Sequence, residues 1–531
     1  MRHAIIFLAI SVAAIAAWWT WLGTPVPVPP SPMAANEKLY CVSYAPFRDN
    51  ETPWMPRDVE AWQIDEDFER LKAITDCVRS YSIDHGLDKI PGIARKHGLK
   101  VIQGIWLSNR PDETRVQINT GIALAKEFPD VIRSIVVGNE VLLRGEMTAQ
   151  QVANAIREVK AAVPTIPVTY ADVWEYWLRN RDLASVADFV TVHLLPYWED
   201  FPIPADQAVA HLNAIRKQVI AAFPGKEILI GETGWPSAGR MREGALPSPA
   251  NQARFMAEVV ALSKRENFHV NVIEAFDQPW KRQLEGTVGG YWGLFDARGD
   301  RREKFFWGEP VSNHPLWGRL ATGGAVLAVV IFLAAGLASM DRLKVPWTDW
   351  AKIAVLAIVS GTLAGWAVAD IPVQSLWIGD WLRLSAWALV AIAAPIACAA
   401  AIIRRTPIPD FAQILANTPS EPLARALGVI LMVTTVLAVQ IALGLVFDPR
   451  YRDFPFAALT AAVVPFLLLS FSNPAIRRPR PVAETAAAVV LGISALYIVF
   501  NESWLNWQSV WFCAGLVLLT ALLARARAVP G

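Results

Sequence analysis

Two glutamates end two matching motifs. Glu140 closes "IVVGNE" and Glu232 closes the first half of "ILIGETGWPSAG". Each follows a short β-branched run and a glycine, so each is a bare acid presented where a strand stops. They are 92 residues apart, about three strand–helix repeats of roughly 30 residues. A pair of carboxylates on opposite sides of a sugar bond is the apparatus of glycoside hydrolysis. One donates a proton to the leaving oxygen and the other attacks or activates water. Asn139 beside the first acid could hydrogen-bond a sugar hydroxyl, and Trp235 could offer a flat apolar face to a pyranose ring. A single strand-end glutamate is most often a solvated loop residue or a partner for arginine. Two in matched motifs at matched positions point to catalysis.

The elements that would hold this pair recur with a steady rhythm. Eight apolar runs lie between Lys38 and Trp280, at 39–46, 76–82, 99–108, 132–140, 167–173, 188–196, 227–236 and 270–280. Helical patterns such as "GLDKIPGIARKHG" and "TAQQVANAIREVKAAVP" fill the gaps. Alternating strands and helices predict parallel βα units, and eight of them in about 245 residues predict a closed (β/α)8 TIM barrel, an α/β fold. Active sites of that fold sit at the C-terminal ends of the strands. Tyr44, Arg79, Tyr170, Tyr197, Phe276 and Asp277 gather at the same ends as the two acids and are candidate substrate contacts. Arg79 could position the nucleophile's surroundings or simply pair with a barrel acid. His193 could be a hydrogen-bonded core residue or a sugar contact. Trp198, Trp280 and Trp292 could be sugar platforms, although packing of the 281–307 loop accounts for Trp292 at least as well. His85, His97 and His269 lack metal-ligand spacing; no metal or cofactor is expected.

The rest of the chain is of another kind. Of the 49 basic and 48 acidic residues, only 15 and 10 fall from Ser312 onward, among long apolar stretches. About seven spans are expected there, at 320–340, 350–369, 384–403, 426–446, 456–470, 482–500 and 507–523, making an all-α transmembrane bundle over 319–524. The N-terminal run from Ala4 to about Leu22 is nearer a spanning length than a signal-peptide core. An uncleaved anchor over 1–23 is favoured over a signal peptide, followed by a proline-rich spacer at 24–37 and the barrel at 38–311. The basic segments "DRLK", "RRTPIPDFAQILANTPSEPLAR", "IRRPRP" and "RARAVPG" alternate with acidic, Trp-rich ones. By the positive-inside rule this places both termini in the cytoplasm and the barrel outside it. The bundle reads as an anchor and docking element rather than a transport path, because nearly every charge falls in a loop or at a span end. Gly323, Gly324 and Gly336 suit helix packing in lipid. No basic footprint of a nucleic-acid binder is present. Cys41 and Cys77 fall on neighbouring strands; a disulfide and two buried thiols both fit, with a marginal preference for thiols.

"GNE" on strand four with "GETGWPS" on strand seven resembles glycoside hydrolase family 17, the β-1,3-glucanases, over about residues 38–310. The resemblance implies a (β/α)8 barrel and retention of configuration, with Glu140 as acid/base and Glu232 as nucleophile. Retention needs the two carboxyls roughly 5–5.5 Å apart. Two departures stand out. On strand six, where the family commonly shows Asn-x-Tyr-Pro-Tyr, this chain has "HLLPYW": His193 replaces the Asn, Leu195 the first Tyr, and Tyr197 is kept. On strand eight "FDQPWK" has Gln278 where the family carries an acid, with Lys281 retained. "EAFDQPWK" beside a multi-span tail resembles the bacterial membrane-attached branch linked to β-1,3/β-1,6-glucan remodelling. That implies a β-glucan hydrolase or transglycosylase in the inner membrane, facing the periplasm and in contact with lipid, with a glucan synthase as a candidate partner. The competing reading is a glucan-export or synthase-assembly component that binds polymer without turnover.

Overall fold

The computed structural model describes residues 2–48, 50–297, 308–340, 344–472 and 481–525. These fall into two compact units. One comprises 27–238 and 244–311; the other comprises 1–26, 239–243 and 312–531.

The first unit is a closed barrel of eight parallel strands. They are β1 (Cys41–Ser43), β2 (Cys77–Arg79), β3 (Lys100–Ile105), β4 (Ile132–Asn139), β5 (Val168–Val173), β6 (Val190–His193), β7 (Ile228–Thr233) and β8 (Val270–Val272). Each lies inside one of the eight runs read from sequence. Hydrogen bonds pass from each strand to the next, and β8 returns to β1. Strands β1, β2, β6, β7 and β8 are buried along their whole length. Helices cover one side and barrel side chains the other, which is why they read as continuous apolar runs rather than alternating ones. The intervening helices start on local signals. Thr148 caps Ala149–Ala162 in a box with Gln151, and Ser248 caps Pro249–Arg265 through the Asn251 amide.

One inward layer consists of Cys41, Cys77, Ile102, Val136, Ala171 and Leu229, all buried. Register pairs Val42 with Val78 and Ser43 with Arg79, so the two cysteines stand opposite each other on β1 and β2. They form a disulfide, which corrects the preference for two thiols. Period-2 alternation allowed them to face apart, whereas the shared offset puts both in one layer. A bridge across 36 residues removes unfolded-chain entropy worth roughly 4 kcal/mol in the loop-closure picture.

The second unit contains, among the described residues, seven helices long and apolar enough to cross a membrane: Arg2–Gly23, Trp317–Ala338, Trp347–Gln374, Ile378–Arg404, Pro422–Phe447, Val482–Glu502 and Trp507–Ala524. The apolar helix Phe456–Ser472 is shorter, at 17 residues. The N-terminal helix belongs to this bundle, with Ile15 and Trp19 fully buried in it. Gly324 and Gly361 mark one close approach of helices. A Cβ on Gly324 would come within 2.2 Å of the Gly361 carbonyl oxygen, so the two helices meet backbone to backbone. Gly323 and Gly336 meet nothing within 4 Å and have no such role. Asp349 is buried and paired with Arg405 at 2.8 Å, and Glu484 accepts the Phe411 amide at 2.8 Å. Residues 341–343, 473–480 and 526–531, which hold much of the basic "DRLK", "IRRPRP" and tail segments, lie outside the described residues.

Candidate active site

The barrel brings Glu140 and Glu232 to the same end from opposite sides. Glu140 follows β4 in the left-handed region at φ 53°, two residues after Gly138 at φ 89°. This twist turns the chain sharply off the strand. It costs a non-glycine residue of order 1 kcal/mol, the kind of local strain that persists only where surrounding contacts enforce it. Those contacts are present: the Glu140 amide donates to the Ala171 carbonyl at 2.8 Å, and Arg144 donates to the carbonyls of Leu107 and Asn139. Glu232 is the fifth residue of β7 and is 5% exposed. A register shift after Val192 sets His193 directly beside it.

His193 stands between the acids. Its Nδ1 is 2.8 Å from Glu140 Oε1 and its Nε2 is 3.6 Å from Glu232 Oε1. One oxygen of each carboxylate and a ring nitrogen of His193 all lie within 4.8 Å of one another. Such a trio has the spacing of a metal cradle, and the Arg79 guanidinium lies against two of its members, Glu232 and His193. Arg79, 1% exposed on β2, donates to Glu232 at 3.3 Å, to Asn139 Oδ1 at 2.6 Å and to the Gly231 carbonyl at 2.6 Å. Gly231 leaves room for this: a Cβ there would lie 2.4 Å from Thr191 and 3.4 Å from the Arg79 guanidinium. Of the two arrangements open to Arg79 in the sequence, the structure shows the pairing with a barrel acid, Glu232.

Tyr81 completes the surroundings of Glu232. Its hydroxyl donates to Glu232 Oε1 at 2.8 Å and lies 2.7 Å from the Ser43 hydroxyl, which accepts from Asn271. Burial and the neighbouring Glu232 charge push the Tyr81 hydroxyl well above its ordinary value, so it remains a donor. Burial alone would raise Glu140. The hydrogen bond from His193, with the charges of Arg144 and Arg79, outweighs burial and holds the carboxyl below the usual range. Tyr81, Ser43 and Asn271 were not legible as site residues. The one available signal was that Tyr81 continues the alternation of Cys77 and Arg79.

The other sequence candidates separate into those near the acids and those that support the fold. Asn139 and His193 touch the acids or Arg79 directly. Lys281 is 2.6 Å from Glu274, which burial pushes up to about 7 against the pull of that lysine. Tyr170 donates to Asp172 and accepts the Leu142 amide, so it braces the loop after Glu140. Burial pushes Asp172 up to about 6. Tyr44 is buried on Asp67, Phe276 packs on Phe295, and Asp277 accepts the Gly293 amide. Tyr197 is fully buried against Trp235 and Trp292. Trp235 is itself 0% exposed, with its indole N–H on the Leu246 carbonyl. Its ring face is therefore filled by protein, which corrects its assignment as an open sugar platform. Trp292 packs likewise, stacked on the half-buried Trp198. Trp280 is half-buried and meets the exposed Trp54 edge-on.

Gln278, beyond the end of β8, stands where the resemblance implied an acid, and its bonds suit an amide rather than a carboxylate. It is 1% exposed, its amide nitrogen donates to the carbonyls of Ala45 and Phe276, and its oxygen accepts the Trp280 indole at 2.8 Å. A carboxylate would set an oxygen against two carbonyl oxygens. Gln278→Glu is expected to destabilise the barrel by about 3 kcal/mol, measured as a lower Tm at pH 8. Part of that loss returns at pH 5, where a protonated glutamic acid can donate one bond. An unchanged Tm at pH 8 would contradict this bonding.

Residues 41–293 match the BtgE/BtgC glycoside hydrolase domain family. The chain is 31% identical over 263 residues to a glucan 1,3-beta-glucosidase of Arthroderma benhamiae, a match spanning 46% of this chain and 83% of that protein. It is 26% identical over 253 residues to a glucan 1,3-beta-glucosidase of Saccharomyces cerevisiae, spanning 44% and 80%. Among solved structures, the glycoside hydrolase family 17 β-1,3-glucanosyltransferase of Rhizomucor miehei aligns with 27% identity and a TM-score of 0.45, over 51% of this chain and 96% of that one. The family match over residues 41–293 and the 31% identity to the Arthroderma benhamiae protein, with the motifs of the two acids and the eight-stranded barrel, make the chain a member of the BtgE/BtgC-type glycoside hydrolases of family 17.

Proposed function

We propose that the protein is a membrane-anchored, retaining hydrolase or transglycosylase of β-1,3-glucan. The observation that carries the chemistry is the approach of the Glu140 and Glu232 carboxylates, with oxygens within 4.8 Å. Retaining enzymes hold their two carboxyls close; inverting ones leave 6.5–9.5 Å for a water. In this reading Glu232, aligned by Arg79 and Tyr81, attacks the anomeric carbon while Glu140 protonates the departing oxygen. Glu140 then takes a proton from water or from an incoming sugar hydroxyl. Asn139 spends its carbonyl on Arg79, so its NH2 is the group left for a sugar hydroxyl. The names of the relatives support β-1,3-glucan as substrate.

The membrane arrangement belongs to the same reading: an anchor at 1–23, a spacer at 24–37, a catalytic barrel at 38–311 and a spanning region at 319–524. Burial of Ile15 and Trp19 within the bundle supports retention of the first helix. Among the described residues, seven helices of spanning length and the shorter Phe456–Ser472 support cytoplasmic termini with the barrel on the opposite, periplasmic side. The Cys41–Cys77 disulfide supports an oxidising compartment for the barrel. A tethered enzyme that modifies its cell's own polymer gains little by degrading it, which favours transfer, including formation of β-1,6 bonds beside a synthase.

The test is incubation of the purified full-length protein with reducing-end-labelled β-1,3-gluco-oligosaccharides, followed by product masses and linkages. Products longer than the substrate are expected. Shorter products alone would leave a hydrolase and remove the transfer reading. No reaction would overturn the substrate assignment.

A further inference from the structure

We propose that His193 is a positioning residue for the proton transfers of Glu140, holding one carboxylate oxygen as a fixed acceptor so that the travelling proton is confined to the other. The inference rests on the assignment of Glu140 as acid/base.

The argument begins with the tautomer. Arg79 turns two guanidinium nitrogens toward His193 Nε2, at 3.4 and 3.5 Å. Glu232 Oε1, at 3.6 Å, lies slightly farther from Nε2 and already accepts from Arg79 and Tyr81. A proton on Nε2 would face the two nearer N–H groups, so Nε2 accepts and the ring carries its proton on Nδ1. That proton donates to Glu140 Oε1 at 2.8 Å. His193 is 1% exposed, and its backbone is clamped between the β5 and β7 ladders, so the ring has no alternative partner in water. Oε1 is thereby occupied. The glycosidic oxygen can be protonated only from Oε2.

Both half-reactions use this arrangement. In the first, the Oε2 proton passes to the leaving oxygen as its bond to the anomeric carbon breaks and the Glu232–carbon bond forms. In the second, Oε2 takes the proton of the acceptor hydroxyl as the acceptor oxygen bonds to that carbon and the Glu232 ester breaks. Throughout, the Nδ1–H bond to Oε1 favours the carboxylate, which readies Glu140 for the second half. The other charged groups that act on Glu140 are Arg144 on its own loop, Arg79 on β2, Asp172 on β5, Glu232 on β7 and Glu285 after β8. Cations and acids are thus both represented, and His193 is the group bonded to the carboxylate itself.

The experiment is the pH dependence of kcat/KM of the full-length protein on β-1,3-gluco-oligosaccharide. Activity falls on the basic side as Glu140 loses the proton it must donate. His193→Ala is expected to move that basic limb upward, because the hydrogen bond that opposes burial is lost while only the more distant charges of Arg144 and Arg79 remain. His193→Asn is expected to bring the limb most of the way back. If the Ala variant does not fold, the wild-type Glu140 carboxylate band, identified by infrared difference against Glu140→Gln, must titrate below the usual carboxylate range. Ala and Asn variants that lose activity equally with the limb unmoved, or a band that titrates above that range, would overturn the inference. Failure of the underlying assignment looks different: Glu140→Ala would then keep its full rate on the oligosaccharide.

Discussion

Replacing Glu232 by Gln lowers kcat on β-1,3-gluco-oligosaccharides by about 10⁵-fold, the scale of losing a covalent nucleophile. This corresponds to roughly 7 kcal/mol of transition-state stabilisation. The carboxamide is isosteric. Its oxygen can still accept from Tyr81 and Arg79, which contact the same Oε1 of the native side chain at 2.8 and 3.3 Å. Arg79 also keeps Asn139 Oδ1 and the Gly231 carbonyl. The fold therefore survives, and oligosaccharide affinity measured by calorimetry stays within about tenfold, roughly 1.4 kcal/mol. What disappears is an oxygen able to form the glycosyl ester. The check is single-turnover rate and binding on the same preparation. Residual activity above about one percent would remove Glu232 as nucleophile. Loss of binding in step with loss of rate would make the site a polymer-holding one.

The two glutamates were legible because each breaks a pattern: an acid after a β-branched run and a glycine has no place in a buried strand. The eight strands were legible for the complementary reason, since βα units repeat. What surrounds the acids was not. Tyr81, Ser43 and Asn271 are ordinary strand residues whose importance lies in which inward layer they share, and this is fixed by register between strands far apart in sequence. The same gap explains Trp235. Its place beside Glu232 suggested a platform, but only the packed structure shows Phe255 and Tyr197 against its ring. Cys41 and Cys77 were ambiguous on the same account. The long apolar helices were found, with ends within a turn of the expected ones in most cases and extended by more in Trp347–Gln374 and Ile378–Arg404. Hydropathy falls off at the polar and aromatic ends while the backbone hydrogen bonds continue.

Glu140→Ala separates the acid from the base role and has the second-largest expected effect. On oligosaccharides, where the leaving oxygen is a poor leaving group, the rate falls by about 10³-fold, within the range for general acid catalysis. On an aryl β-glucan-disaccharide donor whose phenolate leaves unaided, the first half-reaction proceeds nearly as before, and the glycosyl ester on Glu232 accumulates. Azide then restores turnover, because an anion needs no base to attack. It enters the room vacated by the carboxylate, where Arg144 and Arg79 supply positive charge. The product is a β-glycosyl azide, since two displacements at one carbon return the original configuration. Glu232→Ala with azide gives the opposite anomer by one displacement. The two anomers, read by proton NMR, assign both residues from product stereochemistry alone. A β azide from Glu232→Ala, or none from Glu140→Ala despite an intact burst of phenolate, would reverse or remove the roles drawn from the close approach of these two carboxylates.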